Sequence, residues 1–231
     1  MDSKRITLFA GHYGSGKTNI AVNYALRLKE EHDKVVIADL DIVNPYFRSK
    51  DSERQLEERG IHLISSEYAN SNVDVPAMPS EAYSIIDDQS VKAVIDVGGD
   101  DRGALAMGRY APAILEEGDY EMLLVINKYR PLTPDCASTL AVMHEIEEAC
   151  KMKFTGIVNN SNLGDETDEE TVLSSLAYAD EISKASGLPI KMTSVKENLY
   201  DKLKEKVVNC FAIKLYVKQS WAKQEEDLWL K

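Results

Sequence analysis

The octapeptide Gly11-His12-Tyr13-Gly14-Ser15-Gly16-Lys17-Thr18 constrains this chain more than any other feature. It satisfies the pattern G-x-x-x-x-G-K-[ST], which dictates its surroundings as well as its chemistry, because such a loop leaves a strand and enters a helix. Both flanks are present. Arg5 to Ala10 is a short apolar run, and from Lys17 to Glu31 apolar residues return at helical spacing. In a loop of this kind the glycines let successive backbone N–H groups turn toward a phosphate, and the helix N-terminus adds partial positive charge. Lys17 reaches the outer phosphates and Thr18 offers a hydroxyl to magnesium. The stretch from Gly11 to Asn19 is therefore the candidate cradle for a nucleotide.

Two carboxylate-bearing strand ends accompany it. In Ala38-Asp39-Leu40-Asp41, two acids lie two residues apart just past the buried run from Val35, so both leave the same strand face. The carboxyl end of a parallel strand is the ligand-binding edge of an open α/β sheet, where such acids can hold the water shell of magnesium or orient an attacking water. In Val94-Ile95-Asp96-Val97-Gly98-Gly99, an apolar strand delivers Asp96, and the glycine pair permits close approach of the backbone to a terminal phosphate. Asp100 and Asp101 read as caps of the helix that follows.

The rest of the chain alternates strands and helices. Strands are expected at Ile61 to Ile64, Ala93 to Val97, Met122 to Asn127, Phe154 to Asn159 and Ile190 to Ser194. Helices are expected at Ser52 to Arg59, Ser80 to Gln89, Leu105 to Glu117, Pro134 to Lys151 and Glu169 to Ser186, with Tyr68 to Pro79 a loop. That alternation calls for a mostly parallel sheet covered by helices on both faces, a three-layer α/β fold. No composition shift marks a second domain, so residues 1–231 read as one nucleotide-binding domain with a helical tail at about 198–231.

Charge limits the ligands. With 27 basic and 39 acidic residues the net charge is −12, a surface that repels nucleic-acid backbones and anionic lipid. Any polyanion must be held locally, and no specific nucleic acid is expected. Cys136, Cys150 and Cys210 form no C-x-x-C pair, and His12, His32, His62 and His144 share no ligand spacing, which argues against thiolate or histidine metal sites. The run Ile6 to Ala10 is too short for a signal peptide and no stretch approaches a transmembrane segment, so a cytoplasmic protein is expected.

These motifs, in this order and spacing, make residues 5–195 resemble the MinD/ParA-like branch of P-loop ATPases, the CobQ/CobB/MinD/ParA nucleotide-binding domain. The resemblance implies the P-loop NTPase fold, with ATP and Mg2+ as cofactors. It implies catalytic roles for Lys17 and Asp41, the latter positioning water, and a metal site at Thr18, Asp39 and Asp96. Gly99 or its neighbour Gly98 would meet the terminal phosphate. In Gly156-Ile157-Val158-Asn159-Asn160-Ser161 the match favours Asn160 over Asn159 as the adenine contact. A protein partner and a homodimer across the nucleotide are implied as well. One position departs: the lysine that many relatives carry five residues before the loop lysine is His12, and a neutral imidazole lacks that charge. Arg48, Arg102 and Arg109 are candidates to replace it.

Base preference follows from Asn127-Lys128-Tyr129-Arg130, which imitates the guanine motif N-K-x-D but ends in a donor-only guanidinium. Guanine needs an acceptor there, so ATP is preferred to GTP. The function expected is a Mg-dependent ATPase acting as a switch on a protein partner. The alternative is an ATP-dependent small-molecule ligase or kinase of the dethiobiotin-synthetase kind, which His12 mildly favours.

Overall fold

Strands buried on both faces must lie between two layers of helix, and the apolar runs of this chain do so. The computed structural model describes residues 3–40, 54, 56–65, 84–99 and 101–216. In chain order these form β1 (Ile6–Ala10), α1 (Lys17–Lys29), β2 (Val35–Leu40), β3 (Ile61–Ser65), α2 (Ser84–Asp87), β4 (Lys92–Val97), α3 (Asp101–Met107) and α4 (Ala111–Glu117). There follow β5 (Tyr120–Ile126), α5 (Cys136–Cys150), β6 (Gly156–Asn159), α6 (Glu169–Ser174), α7 (Leu176–Ser186), β7 (Ile190–Lys196), α8 (Glu197–Leu203) and β8 (Cys210–Ile213). The strands make one sheet in the order β3-β2-β4-β1-β5-β6-β7-β8, and every neighbouring pair is parallel.

Side-chain alternation divides the core in two. Ile6, Leu8 and Ala10 of β1 join Ala93, Ile95 and Val97 of β4 under α3, α4, α5 and α7. Phe9, Val94 and Val125 face the other way, against Ile20, Ala21, Tyr24 and Leu28 of α1. Asp39 and Asp96 continue the α1-facing rows of β2 and β4, and they are direct partners across the sheet. β1 lies where consecutive connections run to opposite sides, and such a reversal opens a crevice at the carboxyl edge. The Gly11–Thr18 loop occupies that edge.

Three expected elements differ. The helix expected over Leu105 to Glu117 is α3 and α4, separated at Gly108 to Tyr110, because Pro112 in the first turn of α4 starts a fresh helix. The helix expected over Glu169 to Ser186 breaks at Ser175, whose hydroxyl donates to Val172 O and accepts from Asn159 Nδ2. The tail expected to be helical from Asn198 is corrected most. Helix α8 stops at Leu203, and β8 then adds an eighth strand beside β7. Asn209, in the left-handed region at φ 54°, turns the chain into β8. Leu199, Leu203 and Val207 bury themselves with Val172 and Val195 in a small third cluster. Residues 217–231 lie outside the described residues, as do Asp41, Arg48 and Asp100. No helix among the described residues is long and apolar enough to cross a membrane.

Candidate nucleotide site

The loop is held in an open shape by its glycines. Gly14 and Gly16 have φ of 76° and 88°, values a side chain rarely tolerates. A Cβ on Gly11 would overlap the Val125 carbonyl of β5, so the loop starts flush against the neighbouring strand. Helix α1 then begins at Lys17 with no side chain capping it, in contrast to α5 and α6, which Asp135 and Asp168 cap. Its first amides remain for a ligand.

Lys17 is buried, and its Nζ donates to Gly11 O at 3.1 Å and His12 O at 3.3 Å, folding back over the loop. Thr18 Oγ1 donates to Asp96 Oδ2 at 2.6 Å. Asp39 stands one strand over at the same level, about 4.8 Å away in backbone spacing, and is buried like Asp96. Gly99 closes the cradle. A Cβ there would come to 2.8 Å from Lys17 Nζ and from Tyr13 N, so only a bare backbone fits beside the loop. The hydroxyl and carboxylates of this group are hard oxygen donors, the kind magnesium takes together with phosphate oxygens and water. The described residues hold no cluster of three His, Cys, Asp or Glu that would bind a metal by themselves.

His12 Nδ1 lies 2.8 Å from Tyr13 O, so that nitrogen carries the proton, and Tyr13 is exposed at the loop tip. Arg109 is exposed, and the side chain of Arg102 is outside the described set.

The two asparagines at the end of β6 make hydrogen bonds within the protein. Asn160 donates from Nδ2 to Ser15 O at 2.6 Å and accepts at Oδ1 from Ser194 Oγ at 2.5 Å. Asn159 donates to Ser175 Oγ at 2.9 Å and accepts from Ser161 N and Oγ. Both side chains are buried and hydrogen-bonded within the protein. Asn19 is likewise committed elsewhere, its Oδ1 accepting from Tyr216 N at 2.9 Å. Asn23, one turn later, accepts from Lys214 N and donates to Lys214 O. These two asparagines clip the segment after β8 onto the helix that carries the phosphate loop. Sequence reasoning missed Ser194, whose only signal was its place near the carboxyl end of β7. It also did not foresee how the turn after β5 meets the loop. Asn127 Oδ1 accepts there from Tyr129 N and Asn162 N, and the Arg130 guanidinium packs on Gly14.

Sheet, loop and strand-end carboxylate together define the α/β fold of P-loop NTPases. No protein-family model matches the sequence, and neither does any curated protein. Solved structures do resemble it. The cell division protein FtsY from Thermotoga maritima is 20% identical with a TM-score of 0.56, over 84% of this chain and 63% of that one. FtsY from Mycoplasma mycoides is 23% identical, with a TM-score of 0.52 over 82% and 59% of the two chains. The signal recognition particle 54 kDa protein from Aeropyrum pernix K1, solved in complex with GDP, is 19% identical, with a TM-score of 0.52 over 81% and 40%. This chain thus spans less than two thirds of each, and the likeness is one of fold.

Proposed function

We propose that this protein is a nucleotide-dependent switch, binding ATP with Mg2+ at Gly11–Thr18, hydrolysing it slowly, and offering two states to a protein partner. The observation that carries the reading is the 2.6 Å hydrogen bond from Thr18 to Asp96 beneath an uncapped helix N-terminus. It joins the loop hydroxyl to the carboxylate of a second strand. Thr18 and Asp96 are the residues that would hold the ion, with Asp39 behind them, and the ion when bound neutralises charge on the outer phosphate oxygens. Lys17 exchanges the carbonyls of Gly11 and His12 for phosphate oxygens. Gly99 lets the backbone after β4 close on the terminal phosphate, and Asp41, following β2, positions water. Segments that close only on a triphosphate and open after hydrolysis are the basis of such switches.

Two readings of the base compete. The GDP in neighbouring structures favours a guanine nucleotide. Against it, the sequence carries Arg130 at the motif position where guanine recognition needs a carboxylate acceptor, so ATP is assigned. The MinD/ParA-like likeness and its homodimer belong to this proposal and rest on the spacing of Asp39, Asp41 and Asp96 relative to the loop.

The test is equilibrium binding of MgATP and MgGTP to the wild type and to Lys17→Ala, followed by turnover across protein concentration. MgATP binds more tightly than MgGTP, Lys17→Ala binds neither, and turnover per molecule rises with concentration or with a partner. Retained magnesium-dependent binding in Lys17→Ala overturns the site. A preference for MgGTP overturns the base assignment, and turnover that awaits a small metabolite replaces the switch with a ligase or kinase.

A further inference from the structure

The turn after β5 is closed by its own hydrogen bonds. Asn127 O accepts from Arg130 N at 3.2 Å, and Arg130 O accepts from Thr133 N at 3.1 Å. Pro131 and Pro134 restrict the backbone on either side, and Tyr178 OH donates to Thr133 O at 2.9 Å. This turn lays the Arg130 side chain over the middle of the phosphate loop. A Cβ on Gly14 would sit 3.4 Å from both the guanidinium carbon and Nε, ordinary van der Waals contact.

Two buried polar atoms at this spot have no hydrogen-bond partner among the described residues: Ser15 Oγ in the loop and Arg130 Nε against it. Buried donors are seldom left so, because the lost solvation is not returned, and each such atom calls for an explanation such as a ligand. Among the described residues no carboxylate pairs with Arg130, although acids outnumber bases by 39 to 27 in the chain. With no carboxylate paired to it among the described residues, a guanidinium laid on a phosphate loop has its chemical complement in an anionic oxygen of a ligand held by that loop.

We propose that Arg130 is a phosphate-contacting cation supplied in cis, which binds the nucleotide held by Gly11–Thr18 and provides the fixed charge that His12 does not. This rests on the nucleotide reading above. It also gives the fourth position of the Asn127–Arg130 turn a use other than base recognition.

The test is binding of MgATP and MgADP to the wild type, Lys17→Ala, Arg130→Gln, Arg130→Lys and Arg130→Ala, with thermal unfolding of each nucleotide-free protein. Arg130→Gln keeps an uncharged donor near the position of Nε and loses the forked charge, and it should bind both nucleotides about tenfold more weakly or worse, as expected for a lost charge-assisted hydrogen bond. Arg130→Lys should bind at least about threefold more tightly than Arg130→Gln, because a point charge recovers part of a forked contact. Arg130→Ala should fall with Arg130→Gln while unfolding near the wild-type temperature. The assignment is overturned if Arg130→Gln binds like the wild type, or if Arg130→Lys binds no better than Arg130→Gln, which marks a packing role. Wild-type protein that binds neither nucleotide overturns the site reading as well. Binding that is lost in Lys17→Ala and kept in Arg130→Gln overturns the arginine alone.

Discussion

Asn160 at the end of β6 holds the phosphate loop from below, its Nδ2 donating to Ser15 O at 2.6 Å while its Oδ1 accepts from Ser194. A Cβ on Gly16 would overlap the same amide nitrogen, so loop and amide have been fitted to one another. Asn160→Ala leaves a buried carbonyl and hydroxyl unpaired, which costs about 1–3 kcal/mol of stability in urea unfolding. Because the loop loses its support, affinity for MgATP and MgGTP should fall together. Loss of ATP affinity alone, with stability intact, would place Asn160 at the base instead.

The contact between Thr18 and Asp96 predicts a metal-specific phenotype. Asp96→Asn keeps the shape of the strand end and removes the charge, so nucleotide affinity measured in EDTA should match the wild type while the gain on adding magnesium disappears. Thr18→Val should do the same and also remove the hydrogen bond from Thr18 to the Asp96 carboxylate, costing roughly 1.5–3 kcal/mol in stability, as for other hydrogen bonds to charged groups. A full magnesium effect in Asp96→Asn would remove this carboxylate from the ion.

Much of this arrangement was legible. The run Ile6 to Ala10, the loop glycines and the run ending at Asp96 each carry a local signal, because apolar alternation and the demand for φ > 0 act over a few residues. What escaped depends on distant partners. Asn19 and Asn23 look like ordinary helix residues until Lys214 and Tyr216 pass beside them. Ser175 breaks a helix because it meets Asn159. Leu203, Val207, Phe211 and Leu215 recur every four residues, a helical beat. Yet Leu203 and Val207 fill a satellite core while Phe211 belongs to an edge strand. The signal against a continuous helix was Asn209, one of the few residue types that enters the left-handed region readily.

Arg5 ties the amino edge of the sheet together. It is buried, its guanidinium pairs with Glu117 at the end of α4 through Nε and Nη2, and Nη1 donates to Ile85 O at 2.8 Å and Val91 O at 3.3 Å. One side chain thereby fixes β1, α2, α4 and the entry to β4. Arg5→Met abandons a largely buried carboxylate and the carbonyls of Ile85, Asp88 and Val91, a change worth about 3 kcal/mol, at the lower end for broken buried pairs because Glu117 keeps some solvent. Urea unfolding measures it. The double variant Arg5→Met with Glu117→Leu should recover part of the loss, and no recovery would assign the effect to the backbone contacts instead.

Tyr24 of α1 gives the fold an alkaline limit. Burial, and then the neighbouring Glu121 carboxylate whose Oε1 lies 3.1 Å from the phenol oxygen, raise its pKa above the ordinary 10.0. Above pH about 10 the unfolded chain releases this proton while the folded chain keeps it, so the folded state holds more protons and loses stability as pH rises. Below that value both states hold the proton and the group contributes no slope. The loss approaches about 1.4 kcal/mol per pH unit for one proton. Tyr24→Phe removes the titrating group, at a price of about 1–3 kcal/mol for the hydrogen bond withdrawn from Glu121. Its stability should therefore start lower at pH about 8 and decline less steeply than the wild type's toward pH about 11. Parallel declines in urea-unfolding free energy for the two proteins would show that Tyr24 does not set the limit.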